Sequence, residues 1–505
     1  MAGLVFLFSA AVPGRADEAV PDSATIRENV SHAGGPIPNA WREQTITTYS
    51  DGETSTTTRL QRGRDFKEIV QTGPFRTERG ALRNETWHQN DNGQTIIDQP
   101  DPGLATREAM TTTVARVHTP VEAYVVATLN HGGFGSKEYV DPATWRLVRY
   151  ESVGVNGTVT TTYDDFREDR GRTFAHHWHV DNAYAHTTSD TKVDLYDTAP
   201  VADADLAMPN SRRNLVEFPA GVTSVVLPTQ FGRSHVIVRV MIGDRGLDFV
   251  LDTGSSGITI DEAVAKQLEL PLHLQRSAVT AQRYTTSRTV IPEMRVGELV
   301  MRNVAAQVIP QGWSEQNGNV KTVGLLGFDF LAELGVTIDY EKERVTVVPE
   351  PAYNPPSTPR TTALEVRIGT GQPMTTVAIN GAVGERFLLD TGGVGTFMIF
   401  DYFARRYPDA LKDEGAGARS RPVQFSGVGG AIGTRPYQIA RLQLGNILFT
   451  DFVGYRVISR GTYASATDGL IGADFLRLFT LGIDYANERI YLTPNSAGLA
   501  AMGIK

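Results

Sequence analysis

The pattern of apolar and polar positions contains two apolar segments that run directly into an aspartate. FVLDTGSSGITI (residues 249–260) places Asp252 after an apolar strand, and RFLLDTGGVGTFMI (residues 386–399) does the same with Asp390. In both segments a Thr-Gly turn follows. A carboxylate at the end of an apolar strand is costly to desolvate unless something compensates it. The pattern therefore predicts that both aspartates have a functional role.

A second motif is repeated further along the chain. GLLGFDFLAELGVTIDYEKERVTVVP (324–349) aligns without gaps on GLIGADFLRLFTLGIDYANERIYLTP (469–494), with 12 of 26 positions identical. The offset between these segments is 145 residues, whereas Asp252 and Asp390 are 138 residues apart. Both landmarks recur in the same order, with seven extra residues between them in the second copy. This arrangement predicts a duplicated domain.

These landmarks divide the chain into seven predicted segments. The residues between the two copies are rich in proline, and those before the first copy lack periodicity. The segments are a signal peptide at 1–16, a β-rich N-terminal domain at 22–198, a linker at 199–214, a first lobe at 215–349, a Pro-rich linker at 350–359, a second lobe at 360–494 and a C-terminal tail at 495–505.

The N-terminal domain shows alternating apolar and polar residues interrupted by DG, NG and GVNG turns. This pattern is typical of an antiparallel meander of hairpins. LATREAMTTTVARV (104–117) is the best helix candidate within it. The predicted fold class is mainly β, with two tandem β-barrel lobes after a β-rich half-barrel-like domain.

Composition narrows the possible functions. The chain has 505 residues, of which 41% are hydrophobic, and a formal net charge of −9. This mild acidity argues against a nucleic-acid partner, which would require a basic face. The chain has no cysteine, so disulfides, thiolate nucleophiles and Cys-ligated metals are excluded. A protein without disulfides fits an exported bacterial protein better than a secreted eukaryotic one.

The first residues favour export. AGLVFLFSAAV is an apolar run of the length found in signal peptides, and small residues precede a predicted cleavage after Ala16. No Lys or Arg precedes the run, so a buried or disordered N-terminal strand is the alternative. No other stretch is long and apolar enough to predict a transmembrane helix. The expected location is periplasmic or secreted.

The two aspartates predict a specific chemistry. If the lobes face each other about a pseudo-two-fold axis, Asp252 and Asp390 meet with a water molecule between them. Two carboxylates this close share one proton. One can then act as general base on the water while the other donates a hydrogen bond to a carbonyl oxygen. This chemistry requires no metal or cofactor.

The glycines around this motif are consistent with two backbones that approach closely. Gly254 and Gly392 follow the Asp-Thr pairs and allow tight turns. Gly327 and Gly472 each end an apolar triplet, where a side chain would clash with the neighbouring loop.

These motifs resemble those of retropepsin- and pepsin-type aspartic proteases, with both lobes in one polypeptide, over residues 215–494. The resemblance implies that Asp252 and Asp390 form the catalytic pair. It also implies that Thr253 and Thr391 interlock across the lobe interface through hydrogen bonds from hydroxyl to backbone. Dimerisation would not be required for activity, so a monomer is expected to suffice.

The resemblance further implies two β-hairpin flaps, at VTAQRYTTSRTVI (279–291) and FSGVGGAIGTRPY (425–437). Tyr284 lies near the tip of the first flap. The candidate flap glycines of the second are Gly427, Gly429 and Gly430. A polypeptide substrate would lie extended beneath the flaps as an added strand. Both the tyrosine and the glycines also have a purely structural explanation, in β propensity and turn formation.

The two copies differ after the Thr-Gly turn, where the first has Ser255 and the second has Gly393. A hydroxyl that donates to Asp252 would favour its ionised form. We therefore expect Asp252 to hold the negative charge and Asp390 to hold the proton.

The N-terminal domain, especially YVDPATWRLVRYESVGVNGTVTTTYDDFRE, resembles periplasmic lipoprotein-carrier-like domains. This implies an apolar ligand or a lipoprotein partner. A plain spacer, or a prosegment that covers the cleft, explains the sequence equally well. The alternative function for the whole chain is a non-catalytic periplasmic carrier or a peptide- or lipid-binding protein that uses this domain.

Other candidate residues have simpler explanations. His177 and His179 in FAHHWHV share one face of a strand, but the sequence fixes no third ligand nearby, so a surface strand is preferred to a metal site. Asp339 and Asp484 recur before charged turns and are expected to be turn or capping residues.

Overall fold

The computed structural model describes ten stretches of the chain: residues 20–98, 109–130, 133–154, 157–232, 235–279, 283–310, 320–411, 421–427, 430–458 and 467–504. The chain separates into two compact units, one formed by residues 1–37 and 108–180 and the other by residues 38–107 and 181–505. The expected signal peptide at 1–16 lies outside the described residues. The predicted fold class is confirmed, because strands dominate both units.

The smaller unit consists of one helix and antiparallel strands that follow each other in sequence. The strand order is β12-β11-β10-β9-β8-β7. The bounds are α1 Ser23–Gly34, β7 Thr111–Val117, β8 Ala123–Leu129, β9 Gly135–Val140, β10 Leu147–Gly154, β11 Gly157–Asp169 and β12 Arg172–Asn182, whose last two residues belong to the larger unit.

Helix α1 is one element that the sequence patterns did not predict. Asp22 caps it, because its side chain accepts a hydrogen bond from Thr25 N at 2.8 Å. Ile26 is fully buried and packs in a cluster with Tyr124 and Val126 of β8. The helix is therefore held by an apolar contact with the sheet.

The helix predicted over 104–117 is wrong where the structure describes it. Residues 111–117 form strand β7, which pairs with β8 from Thr111↔Leu129 to Val117↔Ala123. The sequence TTTVARV is rich in β-branched residues, which fit a pleated sheet better than a helix.

The larger unit begins with seven strands that we call the front strands. Their order is β6-β5-β4-β3-β2-β1-β13. The bounds are β1 Ala40–Tyr49, β2 Thr54–Arg62, β3 Asp65–Thr72, β4 Phe75–Leu82, β5 Glu85–Gln89, β6 Thr95–Asp98 and β13 Thr187–Asp197.

The segment predicted as a linker, residues 199–214, lies against the front strands. It contains the short helix α2 (Asp203–Leu206), and Leu206 is fully buried. Arg62 forms an ion pair with Asp203 at 2.7 Å, and Arg212 N donates to Gly93 O at 2.8 Å. The front strands are therefore joined to the rest of the larger unit by a packed connection.

Lobe 1 (215–349) is built on a closed cycle of six strands, β17-β18-β23-β19-β22-β21, in which β21 pairs back onto β17. The bounds are β14 Val216–Glu217, β15 Val225–Val226, β16 Thr229–Phe231, β17 Val236–Ile242, β18 Arg245–Leu251, β19 Ile258–Asp261, α3 Glu262–Gln267, β20 His273–Val279, β21 Arg283–Val296, β22 Leu299–Ile309, β23 Thr322–Leu326, α4 Phe328–Leu331, β24 Leu334–Asp339 and β25 Arg344–Pro349.

Lobe 2 (360–494) has the same cyclic order with its own strands, β28-β29-β34-β30-β33-β32, and β32 pairs back onto β28. The bounds are β26 Thr362–Glu365, β27 Arg367–Ile368, β28 Pro373–Ile379, β29 Ala382–Leu389, β30 Phe397–Ile399, α5 Asp401–Arg406, β31 Val423–Gly427, β32 Gly430–Leu444, β33 Ile447–Val457, β34 Gly469–Ile471, α6 Ala473–Leu476, β35 Phe479–Asp484 and β36 Arg489–Pro494, followed by α7 Ser496–Ala501 in the tail. Two 3₁₀ helices cover Glu350–Ala352 and Pro408–Leu411.

A six-stranded sheet joins the two lobes, in the order β15-β25-β24-β35-β36-β26. Its central pair is β24 with β35, in antiparallel register from Gly335↔Asp484 to Asp339↔Thr480. Tyr353 of the Pro-rich connector packs over Gly335 and donates to Val336 O at 3.0 Å. One continuous apolar core contains buried residues of both lobes.

Within the described part of the chain, no helix combines the length and the apolar character needed to cross a bilayer.

Candidate active site

The two Asp-Thr-Gly loops meet at the interface between the lobes. Asp252 follows β18 and Asp390 follows β29, so each aspartate lies at the end of a buried strand. Asp252 N donates to Leu326 O and Asp390 N donates to Ile471 O, both at 3.0 Å. The strand that ends in each apolar triplet therefore fixes the backbone of the corresponding aspartate.

The carboxyl groups face each other across the interface. A Cβ atom added to Gly254 would lie within 3.0 Å of the Asp390 carboxyl carbon, and one added to Gly392 would lie equally close to that of Asp252. Each aspartate therefore packs on the glycine of the opposite loop, where any side chain would collide with it. Each carboxyl group affects the pKa of the other.

The threonines of the two loops interlock. The Thr253 hydroxyl donates to Leu389 O at 2.7 Å, and the Thr391 hydroxyl donates to Leu251 O at 2.8 Å. Each hydroxyl also accepts a hydrogen bond of 3.0 Å from the backbone N–H of the other threonine. All these groups are buried, so the hydrogen bonds fix the distance between the loops.

The triplet glycines lie under the same loops. A Cβ atom on Gly327 would collide with the carbonyl oxygens of Ser255 and Gly257, and one on Gly472 would collide with those of Gly393 and Gly395. Both positions therefore require glycine for the close approach of two backbones.

Ser255 does not act as the sequence suggested. Its hydroxyl donates to Gly257 O at 2.8 Å instead of to Asp252. The Asp252 carboxylate instead accepts from the backbone N–H of Gly254 at 2.8 Å, and Asp390 accepts likewise from Gly392 N at 2.9 Å. The hydroxyl therefore stabilises the loop rather than the charge of the aspartate.

The electrostatic environments of the two carboxyl groups differ. Burial raises the pKa of Asp390 well above its usual value, and the neighbouring Asp252 raises it further. Burial also raises the pKa of Asp252, but the hydrogen bond from Asp390 and the backbone N–H groups of Gly254 and Ser255 oppose that effect. The environment therefore favours a proton on Asp390.

Three residues near Asp252 and Asp390 were not identified as candidates by the sequence analysis. His235 donates through Nε2 to Gly392 O at 2.9 Å, and Gln372 donates to Gly254 O. Each lobe therefore holds the glycine carbonyl of the opposite loop. Burial raises the pKa of Tyr485 well above its usual value, and the charges of both aspartates add to this effect. His235 and Gln372 belong to no motif, so only the spatial arrangement shows them. Tyr485 aligns with Tyr340 in the repeat, and this identity was the signal that could have found it.

The two predicted flaps correspond to hairpins. In the first, β20 pairs with β21, and Tyr284 lies opposite Ala278. Burial raises the pKa of Tyr284, as does the nearby Tyr184. In the second, β31 pairs with β32, and Gly427 lies opposite Gly430. Gly429 lies outside the described residues.

An apolar cluster packs against the loop that contains Asp390. It comprises Leu388, Met398, Phe400, Val457 and Leu470, with Met374, Phe425, Ile432 and Tyr455 packed against them. A Cβ atom added to Gly395, in the Asp390 loop, would lie 3.2 Å from Phe425 of the second flap. The second flap therefore packs against the loop that holds Asp390.

The histidine cluster of β12 lies away from the two Asp-Thr-Gly loops in sequence. His177 Nδ1 contacts Asp164 of β11 at 2.6 Å, a carboxylate that the sequence could not place. Among the described residues, no group of three or more His, Cys, Asp or Glu side chains is arranged to hold a metal ion.

Comparisons with known proteins agree with the motifs of lobe 1. Residues 238–330 match the family model described as aspartyl protease. A search of curated proteins gave no significant match.

Solved structures with similarity to the chain include three bacterial proteins. A DUF1329 family protein from Desulfovibrio piger is 7% identical, with 36% of this chain and 95% of that chain covered and a TM-score of 0.29. A putative outer membrane lipoprotein-sorting protein domain from Vibrio parahaemolyticus is 8% identical, with coverages of 36% and 94% and a TM-score of 0.28. A LolA superfamily protein from Nitrosomonas europaea is 12% identical, with coverages of 38% and 99% and a TM-score of 0.29. Residues 238–330, which contain Asp252 and its Thr-Gly turn, are thus the part of the chain that is similar to the aspartyl protease family.

Proposed function

We propose that the protein is an aspartic endopeptidase in which Asp252 and Asp390 form the catalytic pair. The observation that carries this proposal is the packing of each carboxyl group on the glycine of the opposite loop. It brings two acids of raised pKa close together at the interface of two similar lobes. This is the arrangement that general acid–base attack by water on an amide requires.

In the proposed mechanism, the Asp252 carboxylate removes a proton from water as the water oxygen bonds to the scissile carbonyl carbon. Protonated Asp390 donates a hydrogen bond to the carbonyl oxygen as negative charge develops on it. The resulting tetrahedral intermediate loses its C–N bond when the amide nitrogen takes up a proton from the pair. The two aspartates thereby exchange one proton over the cycle, and their titrations belong to the pair.

The substrate class follows from the surroundings of the site. A polypeptide in extended conformation would add to the flap hairpins by backbone hydrogen bonds. The apolar cluster beside Asp390 favours an apolar residue on one side of the cleaved bond, because burial of an apolar side chain there is favourable. Both lobes are supplied by one chain, so a monomer suffices in this proposal. The periplasmic or secreted location expected from the sequence is part of the same proposal.

Digestion of a proteome-derived peptide library with the pure protein tests this function. We expect cleavage within peptides at acidic to neutral pH, with apolar residues enriched on one side of the cleaved bond. A folded protein that cuts no peptide but retains lipid or fatty acid would favour the carrier alternative.

The raised pKa values predict how stability depends on pH. A carboxyl group whose pKa is higher in the folded than in the unfolded state adds stability at low pH, and this stability is lost as the pH rises through the folded pKa. Asp390→Asn cannot ionise, so its melting temperature should exceed that of the wild type at neutral pH and approach it near pH 3. Thermal melts from pH 3 to pH 8 measure this difference. A difference that is independent of pH would contradict the raised pKa of Asp390.

The role of Ser255 gives a second pH test. Because its hydroxyl donates to Gly257 O, Ser255→Ala should leave the acidic limb of the pH–rate profile unchanged. A shift of that limb would show that the hydroxyl reaches Asp252 during turnover.

A further inference from the structure

Asp329 is a buried carboxyl group outside the catalytic pair. It lies in α4, two residues after Gly327, and only 5% of its surface is exposed. Its Oδ2 atom accepts a hydrogen bond from Ile258 N at 3.0 Å. Ile258 is the first residue of β19, directly after the loop that contains Asp252. A Cβ atom on Gly257 would lie 2.7 Å from the same oxygen. Asp329 therefore braces the end of the Asp252 loop.

The other side of Asp329 is held by the loop between β5 and β6, residues 90–94. Asn90 Nδ2 donates to Asp329 Oδ1 at 2.8 Å. Gln94 Nε2 donates to the backbone oxygen of Asp329 at 3.0 Å, and Gln94 is itself buried. Burial raises the pKa of Asp329 to about 7, although the Ile258 amide and the two asparagines Asn92 and Asn90 oppose that rise.

Hydrogen bonds within the 90–94 loop fix its conformation. Asn90 Oδ1 accepts from Asn92 N at 3.1 Å and from Gln94 N at 3.0 Å. The Asn92 side chain, also buried, bonds to both backbone groups of Ala305 in β22, at 2.8 and 3.0 Å. Side chains that satisfy buried backbone groups in this way specify one docking position.

Further contacts anchor the front strands to the first flap hairpin and its neighbours. Asp91 forms an ion pair with Arg288 of β21 at 2.7 Å. Glu53 accepts from Leu274 N of β20. The Arg276 guanidinium lies 4.1 Å from the centre of the Tyr49 ring. These contacts are spread along β20 and β21, so the 90–94 loop is one part of a wider contact.

The second copy of the repeat provides an internal comparison. Asp474 is the counterpart of Asp329 in the alignment of the repeats. It is only half-buried, and its backbone N–H donates to Gly395 O at 3.1 Å. Among the described residues, no asparagine or glutamine side chain donates to the Asp474 carboxylate. Among the described contacts, the front strands thus support the Asp252 loop through Asp329 and do not support the Asp390 loop through Asp474.

We propose that Asn90 and Gln94 are positioning residues for catalysis, because they hold Asp329 and, through it, the loop that carries Asp252. The front strands then belong to the working enzyme and are not a prosegment that is removed. This inference deepens the proposed function and rests on it for its kinetic consequence. Its structural consequence, an ordered Asp252 loop, can be measured without activity.

Hydrogen exchange of the full chain tests the structural consequence. In Asn90→Ala, peptides that span residues 250–262 should exchange faster than in the wild type, by about threefold or more, since the Ile258 amide loses its ordered acceptor. Peptides that span residues 388–400 in lobe 2 should be unchanged. Equal acceleration in both lobes, or in neither, would overturn the inference whether or not the protein cuts peptides.

Kinetics test the catalytic consequence. Asn90→Ala and Gln94→Ala should each lower kcat about tenfold while KM stays within about twofold, because a small displacement of a catalytic group costs rate more than binding. Gln61→Ala is the matched control, since Gln61 bonds only to Gly63 O and Arg59 within the front strands among the described contacts. An equal loss in the control would mean that the effect is general destabilisation.

A double variant that exchanges the amide and carboxyl groups of residues 90 and 329 distinguishes loss of their hydrogen bond from misfolding. In Asn90→Asp combined with Asp329→Asn, the amide at 329 can accept from Ile258 N and donate to the new carboxylate at 90. Asn90→Asp alone places two carboxyl groups together and should be the worst variant when compared well above pH 7, where Asp329 no longer supplies a shared proton. We expect the double variant to recover most of the lost kcat and the slow exchange of residues 250–262. Failure of the double variant to improve on Asn90→Asp would overturn the proposal.

Discussion

Asp252→Asn and Asp390→Asn should each abolish peptide cleavage, with kcat lower by about 10⁴-fold, near the upper end for loss of general acid–base catalysis. Either change leaves a pair that cannot pass one proton between two carboxyl groups. Both loops should remain in place, because asparagine has nearly the same shape as aspartate. Cleavage of the best library peptide, measured under single-turnover conditions, gives the comparison.

Asp339→Asn is the matched control for this experiment. Asp339 also recurs in the repeat, but it is the last residue of β24, where its carboxylate accepts from Lys342 N at 3.0 Å and pairs with Lys342 Nζ at 2.9 Å. Its replacement should change kcat less than about twofold, because its carboxylate is held by Lys342 and not by either Asp-Thr-Gly loop. If Asp339→Asn loses as much activity as the other two variants, the assignment of the catalytic pair is refuted.

Thr391→Val should have the largest effect on stability. The substitution removes the hydroxyl that donates to Leu251 O and accepts from Thr253 N. Two buried backbone groups then lose their partner, each at a cost of about 1–3 kcal/mol. We expect the free energy of unfolding to fall by about 3 kcal/mol, with a matching fall in kcat because the distance between the two loops is no longer fixed.

Two variants separate this effect from loss of a hydroxyl in general. Thr391→Ser keeps the hydroxyl and should lose about 1 kcal/mol or less. Thr375→Val removes a buried hydroxyl that donates only to Glu365 O, at 2.9 Å, and should lose about 1 kcal/mol without a change in kcat. Urea denaturation measures all three. An equal loss for Thr391→Val and Thr375→Val would show that the interlock adds nothing.

The features that could be predicted from sequence are those fixed by local requirements. Gly254 and Gly392 could be predicted because the close approach of the opposite carboxyl group permits no side chain. Gly327 and Gly472 could be predicted because the close approach of a neighbouring backbone permits none. The two lobes could also be predicted, since a motif found twice in one order indicates two similar domains. Asp22 is a residue type that favours the N-terminus of a helix and could have indicated α1. The many strand-like segments that follow it made this indication hard to recognise.

The 90–94 loop could not be predicted, because its partners are distant in sequence. N-D-N-G-Q between two strands has the composition of an exposed hairpin turn. Asn90 and Asp329 are 239 positions apart, and nothing near either residue encodes the other. The burial of Asn92 and Gln94 depends wholly on the surface against which they pack. Polar residues predict solvent exposure until tertiary structure supplies their partners.

The pairing of β24 with β35 has a consequence for how the protein behaves in solution. Because one polypeptide carries both strands, the second lobe meets the first at an effective concentration set by the chain and independent of the amount of protein. Specific activity should thus not fall on dilution, as it would for a site assembled from two separate subunits. Because the two lobes belong to one chain, their sequences need not be identical. Each aspartate can therefore have a different environment.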